Sequence, residues 1–429
     1  MSEFASPATF AERDADAADA ATAPLVQRLL NLMLFVTVLL SSIAFIEPSP
    51  HDGLMIVLLA ACVAARVSFD RKLIPLMLLL IIWLIGGLFS VIPVVDQKQT
   101  VQYIATSSYL ALAAIMFACL FRDGDPVRLL ILRRAYIIAA LIATAAGYAG
   151  FFHLFNGSDI FLFNDRVSAT FKDPNVYGPF LIFPLLLLLI SLMTRGMRLG
   201  SLAIMGFLFG GLLLSFSRGA WVHFAVSAAA AVMLLFATAP DARLRRRILL
   251  FSIGALLTMV LLVIVLTLLP SVHDLLVERA KVIQPYDVGP GGRFWEQRLA
   301  LGVILDHPNG LGPFEFFRRY GTQQHDVYMQ GFLVYGWIGG AAYFTLVLVT
   351  LVTGLRAALI STPWQAYLIA AYAAFLGESF EGFIVDTDHW RHFFLLLGLT
   401  WGLSAASLNL QAQEQRQILR GGEALLPIS

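Results

Sequence analysis

Residues 176–194 read VYGPFLIFPLLLLLISLMT, a run of 19 residues without a charged side chain. A helix that crosses the hydrocarbon core of a bilayer needs about 20 mostly apolar residues, because the core is roughly 30 Å thick and each helical residue adds about 1.5 Å. This run therefore predicts a transmembrane helix.

Similar apolar runs recur on both sides of it. Of the 429 residues, 59% are hydrophobic and only 13% are charged, whereas a soluble domain carries about a quarter charged residues. The mean hydropathy of +0.79 indicates the same class. We predict an all-α polytopic membrane protein with about 12 transmembrane helices, near residues 29–46, 53–68, 73–92, 101–121, 133–153, 176–194, 199–216, 219–238, 248–269, 326–353, 363–380 and 391–408.

These runs define one transmembrane domain, residues 25–408, between two polar tails. Residues 1–24 are rich in Ala, Asp, Ser and Thr and lack an aliphatic run, which predicts a disordered cytoplasmic tail and not a signal peptide. Residues 409–429 form the second cytoplasmic tail. Because Cys62 and Cys119 both lie in apolar runs, we expect neither a disulfide nor a cysteine metal site.

The basic residues give the chain an orientation. If the amino terminus is cytoplasmic, most of the 29 Lys and Arg residues lie on the cytoplasmic side, and they are densest in the short loops near 66–72, 122–134 and 243–247. This is the positive-inside pattern, and it predicts a multi-pass protein of a bacterial inner membrane. A net charge of +1, without a basic soluble module, argues against a nucleic-acid partner.

Two long loops then face the periplasm, residues 154–175 and 270–325. They carry most of the cations that the positive-inside rule does not explain, and long loops in compact membrane proteins usually have a function. In the second loop, Val272–Ile283 and Arg293–Leu305 have helical apolar spacing, with PYDVGPGG (285–292) between them. We predict two short interfacial helices there.

The first candidate constellation is RVSATFKDPNVYGP, residues 166–179. Asp173 or Asn175 can cap the next helix, with Pro174 as its first residue. The same helix start offers unpaired backbone amides, which together with Arg166 and Lys172 would attract a phosphate group. Both interpretations stay open, and Arg166, Lys172 and Asn175 are candidate substrate-binding residues.

The second constellation is SFSRGAW, residues 215–221, a tight turn between two apolar runs. Arg218 could extend to the headgroups, but a cation at an outer turn is disfavoured by the positive-inside rule. Serine hydroxyls and an arginine at a helix junction favour binding of a lipid-linked phosphate.

The third constellation comprises GGRFWEQRLAL (291–301), HPNGLGPFEFF (307–317) and HDVYMQGFLVYGWIGG (325–340). Together with Arg166, the DPN turn and the SRGA turn, these segments resemble the signature region of the O-antigen ligase and O-antigen polymerase superfamily. The resemblance covers roughly residues 160–340. The family often has asparagine after the histidine, where this chain has Asp326.

This resemblance implies a reaction and its participants. Arg218 and Arg293 match the arginines that handle the pyrophosphate of an undecaprenyl-linked glycan, His325 matches the proposed catalytic base, and Arg166 is a supporting cation. The acceptor is a sugar hydroxyl, either on the lipid A-core in a ligase or on a second lipid-linked repeat in a polymerase. No cofactor is implied, and the sequence has no GxxxxGK[ST] nucleotide motif.

The sequence around His325 also makes it a candidate base, independently of the family resemblance. It precedes a predicted helix, where the macrodipole and nearby arginines favour the neutral imidazole that can accept a proton. The adjacent Asp326 opposes that effect, and the sequence leaves the net direction open.

The fourth constellation is DTDHWRH, residues 386–392. It is similar to the metal-binding Asp-x-Asp of some glycosyltransferases, but we favour an ion pair between Asp388 and Arg391 over a metal site. Arg391 is also a candidate substrate-binding residue.

A transporter of lipid-linked oligosaccharide is the alternative from another class. Such a protein would place cations along a path that is accessible from both faces. The unexplained cations of this chain lie on one face, which favours an enzyme.

Overall fold

The computed structural model describes residues 25–46, 48–94, 97–268 and 292–423. This part of the chain is almost entirely helical. Its helices, numbered here in chain order, are α1 (Leu25–Leu40), α2 (Pro50–Ala64), α3 (Ile74–Val91), α4 (Gln97–Phe121), α5 (Pro126–Phe151), α6 (Pro174–Phe180), α7 (Ile182–Arg195), α8 (Leu199–Leu214), α9 (Arg218–Thr238), α10 (Ala242–Thr267), α11 (Arg293–Asp306), α12 (Glu315–Tyr320), α13 (Val327–Ala358), α14 (Gln365–Glu381) and α15 (Arg391–Glu423).

The predicted multi-pass membrane fold is confirmed in its class. Eight helical segments of the described chain are long and apolar enough to cross a membrane: Arg71–Val91, Lys98–Phe121, Pro126–Phe151, Pro174–Arg195, Arg218–Thr238, Ala242–Val265, Val327–Ala358 and Arg391–Gln417. The predicted count of twelve is not confirmed, because α1, α2 and α8 are apolar but shorter and α14 has only 17 residues. The last helix also continues past residue 408 to Glu423, into the predicted second tail.

Small residues let the central helices approach closely. Helix α3 packs most extensively on α13, where a Cβ added to Gly86 would lie 2.2 Å from the carbonyl oxygen of Tyr335 and 2.8 Å from the Cα of Gly339. Helix α15 packs in the same way on α4, with Gly398 against the carbonyl oxygen of Ala114. In a membrane, where burial of apolar side chains gives little drive for association, such close backbone packing stabilises helix pairs.

Helix α13 is broken at Gly336, which has a φ of 69°. The loop before it, HPNGLGP (307–313), packs into the break: the amide of Trp337 donates to the carbonyl of Pro308 at 2.8 Å, and the amide of Leu311 donates to the carbonyl of Leu333 at 2.7 Å. These bonds satisfy backbone groups that the break would leave unpaired. Gly310 has a φ of 79°, and a Cβ on it would lie 2.7 Å from the amide nitrogen of Gly336. Glycine is therefore needed at this position of the loop.

The predicted loops contain short ordered elements. In the first, a 3-10 turn (Ser158–Phe161) is followed by strands β1 (Leu162–Phe163) and β2 (Arg166–Val167), which pair antiparallel. In the second, the helix predicted over Arg293–Leu305 is present as α11, and it packs on α13; its interfacial position stays a prediction. The predicted tail 1–24 and the predicted helix Val272–Ile283 lie outside the described residues.

The contact between α3 and α13 predicts a strong effect of one methyl group. Gly86→Ala should lower the free energy of unfolding by about 1 to 3 kcal/mol, because the new Cβ overlaps backbone atoms that cannot move independently. Thermal unfolding of the purified protein in detergent measures this. The matched control is Gly206→Ala in α8, where a Cβ would meet nothing within 4 Å; equal effects of the two changes would contradict the packing argument.

Helix α5 is long and apolar enough to cross the membrane, and Asp123 and Asn156 are exposed just beyond its two ends, so we expect them on opposite faces. In a cysteine-free background, a cysteine introduced at Asn156 should react with a membrane-impermeant thiol reagent after permeabilisation of the outer membrane. A cysteine introduced at Asp123 should react only after the inner membrane is opened. The reverse pattern would invert the orientation drawn from the positive-inside rule.

Candidate functional site

The predicted cap of α6 is confirmed in detail. Asp173 has extended backbone and its carboxylate accepts the amide of Asn175 at 2.7 Å, while Pro174 is the first helical residue. The capping role therefore belongs to Asp173 and not to Asn175. As a result, the Asn175 side chain is available for a different contact.

That contact joins the first two sequence constellations. The Oδ1 of Asn175 accepts hydrogen bonds from Arg166 Nη2 and from Ser217 Oγ, both at 2.9 Å, and Arg166 Nε also donates to the carbonyl oxygen of Ser215 at 3.0 Å. Residues that are about 50 positions apart in the sequence are thereby fixed together. We call the group formed by Arg166, Asn175, Ser215, Ser217 and Arg218 the arginine cluster.

Local backbone geometry positions both halves of the arginine cluster. Arg166 follows a two-residue hairpin turn, Asn164 and Asp165, in which both residues have positive φ, a conformation that Asn and Asp tolerate. Ser217 caps α9 by accepting the amide of Ala220, so that Arg218 becomes the first residue of the helix. Arg218 is half-buried there.

His325 lies immediately before α13, next to Asp386. Its Nδ1 is 3.9 Å from a carboxylate oxygen of Asp386, and its side chain is 48% exposed. Its φ of 48° turns the chain sharply just before Asp326, whose carboxylate caps α13 by accepting the amides of Tyr328 and Met329. Burial raises the pKa of Asp326, although these two amide hydrogen bonds oppose the increase.

The structure brings His325 and Arg218 to the same end of the helix bundle. A Cβ on Gly219, the residue after Arg218, would lie 2.6 Å from Glu381 Oε1. The amide of Val327, two residues after His325, donates to the carbonyl oxygen of Gly382 at 2.8 Å. Since residues 381 and 382 are consecutive, the two candidate residues flank a single short segment.

The DTDHWRH segment (386–392) begins beside His325, where Asp386 lies. The ion pair predicted within this segment, between Asp388 and Arg391, is wrong. Arg391 forms a two-pronged pair with Asp52 of α2, at 2.7 and 2.8 Å, and not with Asp388. Asp388 instead accepts the hydroxyl of Tyr103 at 2.5 Å. The cause is a contact between distant parts of the chain. The amide of Ser49 donates to Asp52 at the start of α2, and the Asp52 carboxylate faces Arg391, the first residue of α15.

The described residues bear on a possible metal site and on three other arginines, Arg293, Arg318 and Arg319. Among the described residues, no group of three or more His, Cys, Asp or Glu side chains is placed to hold a metal ion. Arg293 is the first residue of α11, and its side chain lies outside the described part. Arg318 and Arg319 both pair with the buried Glu315.

Lys172 and Arg391, both candidate substrate-binding residues, line the same cavity. It has a volume of about 220 Å³, and His389 and His392 of the DTDHWRH segment also line it. His389 is fixed by a 2.9 Å contact between its Nε2 and the Ser107 hydroxyl. The cavity adjoins the arginine cluster through Val176, the neighbour of Asn175.

A group of fully buried ionisable residues beneath this end was not predicted from the sequence. His223 Nδ1 lies 2.8 Å from Glu381 Oε2, and His392 Nε2 lies 3.2 Å from Glu378 Oε1, with every one of these side chains at most 5% exposed. Ionisable residues within apolar helices are rare and usually functional. The sequence signal is GESFEG (377–382), which places two carboxylates near the end of an apolar run. The positive-inside rule uses only Lys and Arg, so it does not register them.

No protein-family model matches this chain, and no curated protein matches it either. The resemblance to O-antigen ligases and polymerases thus stays a hypothesis that rests on motif residues.

The Asp52–Arg391 pair is open to a direct test. Asp52→Asn and Arg391→Gln should each lower the free energy of unfolding by about 2 to 3 kcal/mol, because each leaves one partly buried partner without its counter-charge. The double variant should cost clearly less than the sum. The control cycle is Asp388→Asn with Arg391→Gln, which should be additive; coupling there and additivity with Asp52 would contradict the pairing.

Proposed function

We propose that this chain is a bacterial inner-membrane glycosyltransferase of the O-antigen ligase type. It would transfer a glycan from undecaprenyl pyrophosphate to a sugar hydroxyl, on the lipid A-core, at the periplasmic face. The observation that carries the proposal is the arginine cluster: Arg166 is bonded to Asn175 in the first turn of α6, Ser217 and Arg218 lie at the start of α9, and His325 lies at the same end of the bundle.

The arginine cluster suits a pyrophosphate. The first amides of a helix have no partner within the helix, and the helix dipole favours an anion there. Arg218 sits at that position in α9 and adds a charged fork that matches phosphate oxygens. Arg166, bonded to Asn175 and to the Ser215 carbonyl, holds the turn and contributes a second positive charge.

His325 suits the role of base. Its side chain is accessible to an acceptor, and Asp386 lies behind its Nδ1, so that Nε2 could accept a proton. In the proposed step, the acceptor hydroxyl oxygen bonds to the anomeric carbon of the glycan while the bond from that carbon to the pyrophosphate oxygen breaks. The hydroxyl proton goes to His325, and the arginines stabilise the departing pyrophosphate. Arg293 is proposed as a further cation from its sequence position.

A polymerase would use the same donor chemistry with a second lipid-linked repeat as acceptor. A transporter of the lipid-linked oligosaccharide would bind the donor and transfer nothing. The buried ionisable pairs favour the enzyme, because His223, Glu378, Glu381 and His392 all belong to the helix ends next to the site and do not continue through the bundle as a path would.

The division of roles predicts different kinetic effects. Arg218→Ala should weaken donor binding and lower transfer at least tenfold, and Arg218→Lys should restore little, because lysine keeps the charge but not the fork. His325→Ala should lower the transfer rate by roughly 10²- to 10⁴-fold and leave donor affinity nearly unchanged.

The measurement compares donor Kd and transfer rate in purified variants that insert normally in the membrane. Arg319→Ala is the control, since Arg319 is a partly exposed cation paired with Glu315 and has no proposed role. Wild-type transfer by His325→Ala would remove the base assignment. Unchanged donor affinity in Arg218→Ala would remove the pyrophosphate site, and donor binding without any transfer by the wild type would indicate transport.

A further inference from the structure

The cavity beside the arginine cluster contains a polar group that the protein itself does not satisfy. The hydroxyl of Tyr136, a residue only 1% exposed, has no hydrogen-bond partner among the described residues. His392 lines the same cavity, and its Nε2 is paired with Glu378 at 3.2 Å. Buried polar groups are nearly always paired, so the Tyr136 hydroxyl in the wall of this cavity indicates a ligand that pairs it.

Four phenylalanine and tryptophan side chains form a large part of the wall. Phe117, Phe171, Phe180 and Trp390 line the cavity, and the ring of Phe180 stacks on Tyr136 with 4.7 Å between the ring centroids. A ligand site with flat apolar walls and a few fixed polar groups suits a ring that has both apolar C–H faces and hydroxyl edges.

The charge of the cavity excludes some ligands. Arg391 is bonded through both its Nε and Nη2 to the Asp52 carboxylate, so the pair contributes little net charge. Lys172 is the remaining cation of the lining, and it is exposed. A phosphate group would bind better at the arginine cluster, and a prenyl chain would leave the Tyr136 hydroxyl unpaired.

Size limits the ligand further. The volume of about 220 Å³ lies below the roughly 300 to 1,000 Å³ that is typical of sites for drug-sized molecules. One ring fits this volume better than an oligosaccharide does.

We infer that this cavity is a binding subsite for a single sugar residue of a substrate, with the Tyr136 hydroxyl as the group that recognises one of its hydroxyls. His392, paired with Glu378, forms part of the wall. The inference rests on the proposed function for the source of the sugar, which is either the residue next to the pyrophosphate of the donor or the accepting residue. Its chemistry, a neutral hydroxylated ring on an aromatic wall, is the same in both cases.

The test is Tyr136→Phe, which removes only the unpaired hydroxyl. Because this hydroxyl has no partner in the protein, the variant should be as thermostable as the wild type. The matched control is Tyr148→Phe in the same helix, about 18 Å further along, where the hydroxyl donates to the carbonyl of Phe207 at 2.8 Å. It should lose some stability and keep all binding.

Affinities are measured for two lipids, undecaprenyl pyrophosphate alone and undecaprenyl pyrophosphate carrying N-acetylglucosamine. If the cavity binds the donor sugar, Tyr136→Phe weakens binding of the glycosylated lipid about fivefold, the value of one hydrogen bond, and leaves the bare lipid unchanged. If it binds the acceptor sugar, both lipid affinities stay the same and the KM for the acceptor rises by a similar factor.

Two further results decide against the inference. Equal weakening of both lipids would assign the cavity to the pyrophosphate or the prenyl chain. Wild-type values for both lipids and for the acceptor KM would remove the sugar subsite and leave the proposed function intact.

If the wild-type protein binds neither lipid, the proposed function fails and the cavity is tested alone. Saturation-transfer NMR with N-acetylglucosamine, galactose and glucuronic acid then shows whether any sugar binds. Binding that Tyr136→Phe weakens and Tyr148→Phe does not would support the subsite, and the absence of binding would overturn it.

Discussion

Backbone hydrogen bonding inside lipid is the constraint on which the rest of this fold depends. The hydrocarbon core offers no water, so each amide and carbonyl at membrane depth needs a partner in the protein. The break of α13 at Gly336 is tolerated only because the preceding loop donates and accepts the missing bonds, through Pro308 and Leu311. That loop follows α11, so α11 and the helix bundle are held together by the same requirement.

The same constraint explains why the candidate site is built at the starts of helices. Helix starts are where amides lack partners, and three of the starts at this end are completed by a side chain: Asp173 at α6, Ser217 at α9 and Asp326 at α13. The residue next to each cap is thereby fixed in position. Arg218 and His325 each adjoin such a cap, so the proposed chemistry uses side chains that capping has already ordered.

The sequence predicted interactions between near neighbours better than interactions between residues far apart in the chain. The apolar runs and the start of α6 depend on neighbours within a few residues. Eight of the twelve predicted spans are confirmed as long apolar helices, and Pro174 is the first residue of α6 as predicted, with Asp173, one of the two predicted candidates, as its cap. Arg391 was assigned to Asp388, three residues away, whereas its partner is Asp52, 339 positions earlier. The buried Glu378 and Glu381 carried a signal, an acid in an apolar helix, but their partners His392 and His223 could be identified only from the packing of α9, α14 and α15.

The distribution of charge separates two kinds of binding in adjoining places. At the arginine cluster, positive side chains combine with helix starts. In the neighbouring cavity, the Asp52 carboxylate balances the Arg391 guanidinium, and the unpaired group is the Tyr136 hydroxyl. A lipid-linked glycan has the same division, a dianionic pyrophosphate joined directly to an uncharged ring. Under the proposed function, the two sites would bind consecutive parts of one substrate, and the distance between them would be set by α6, whose first turn contributes Asn175 to one and Val176 to the other.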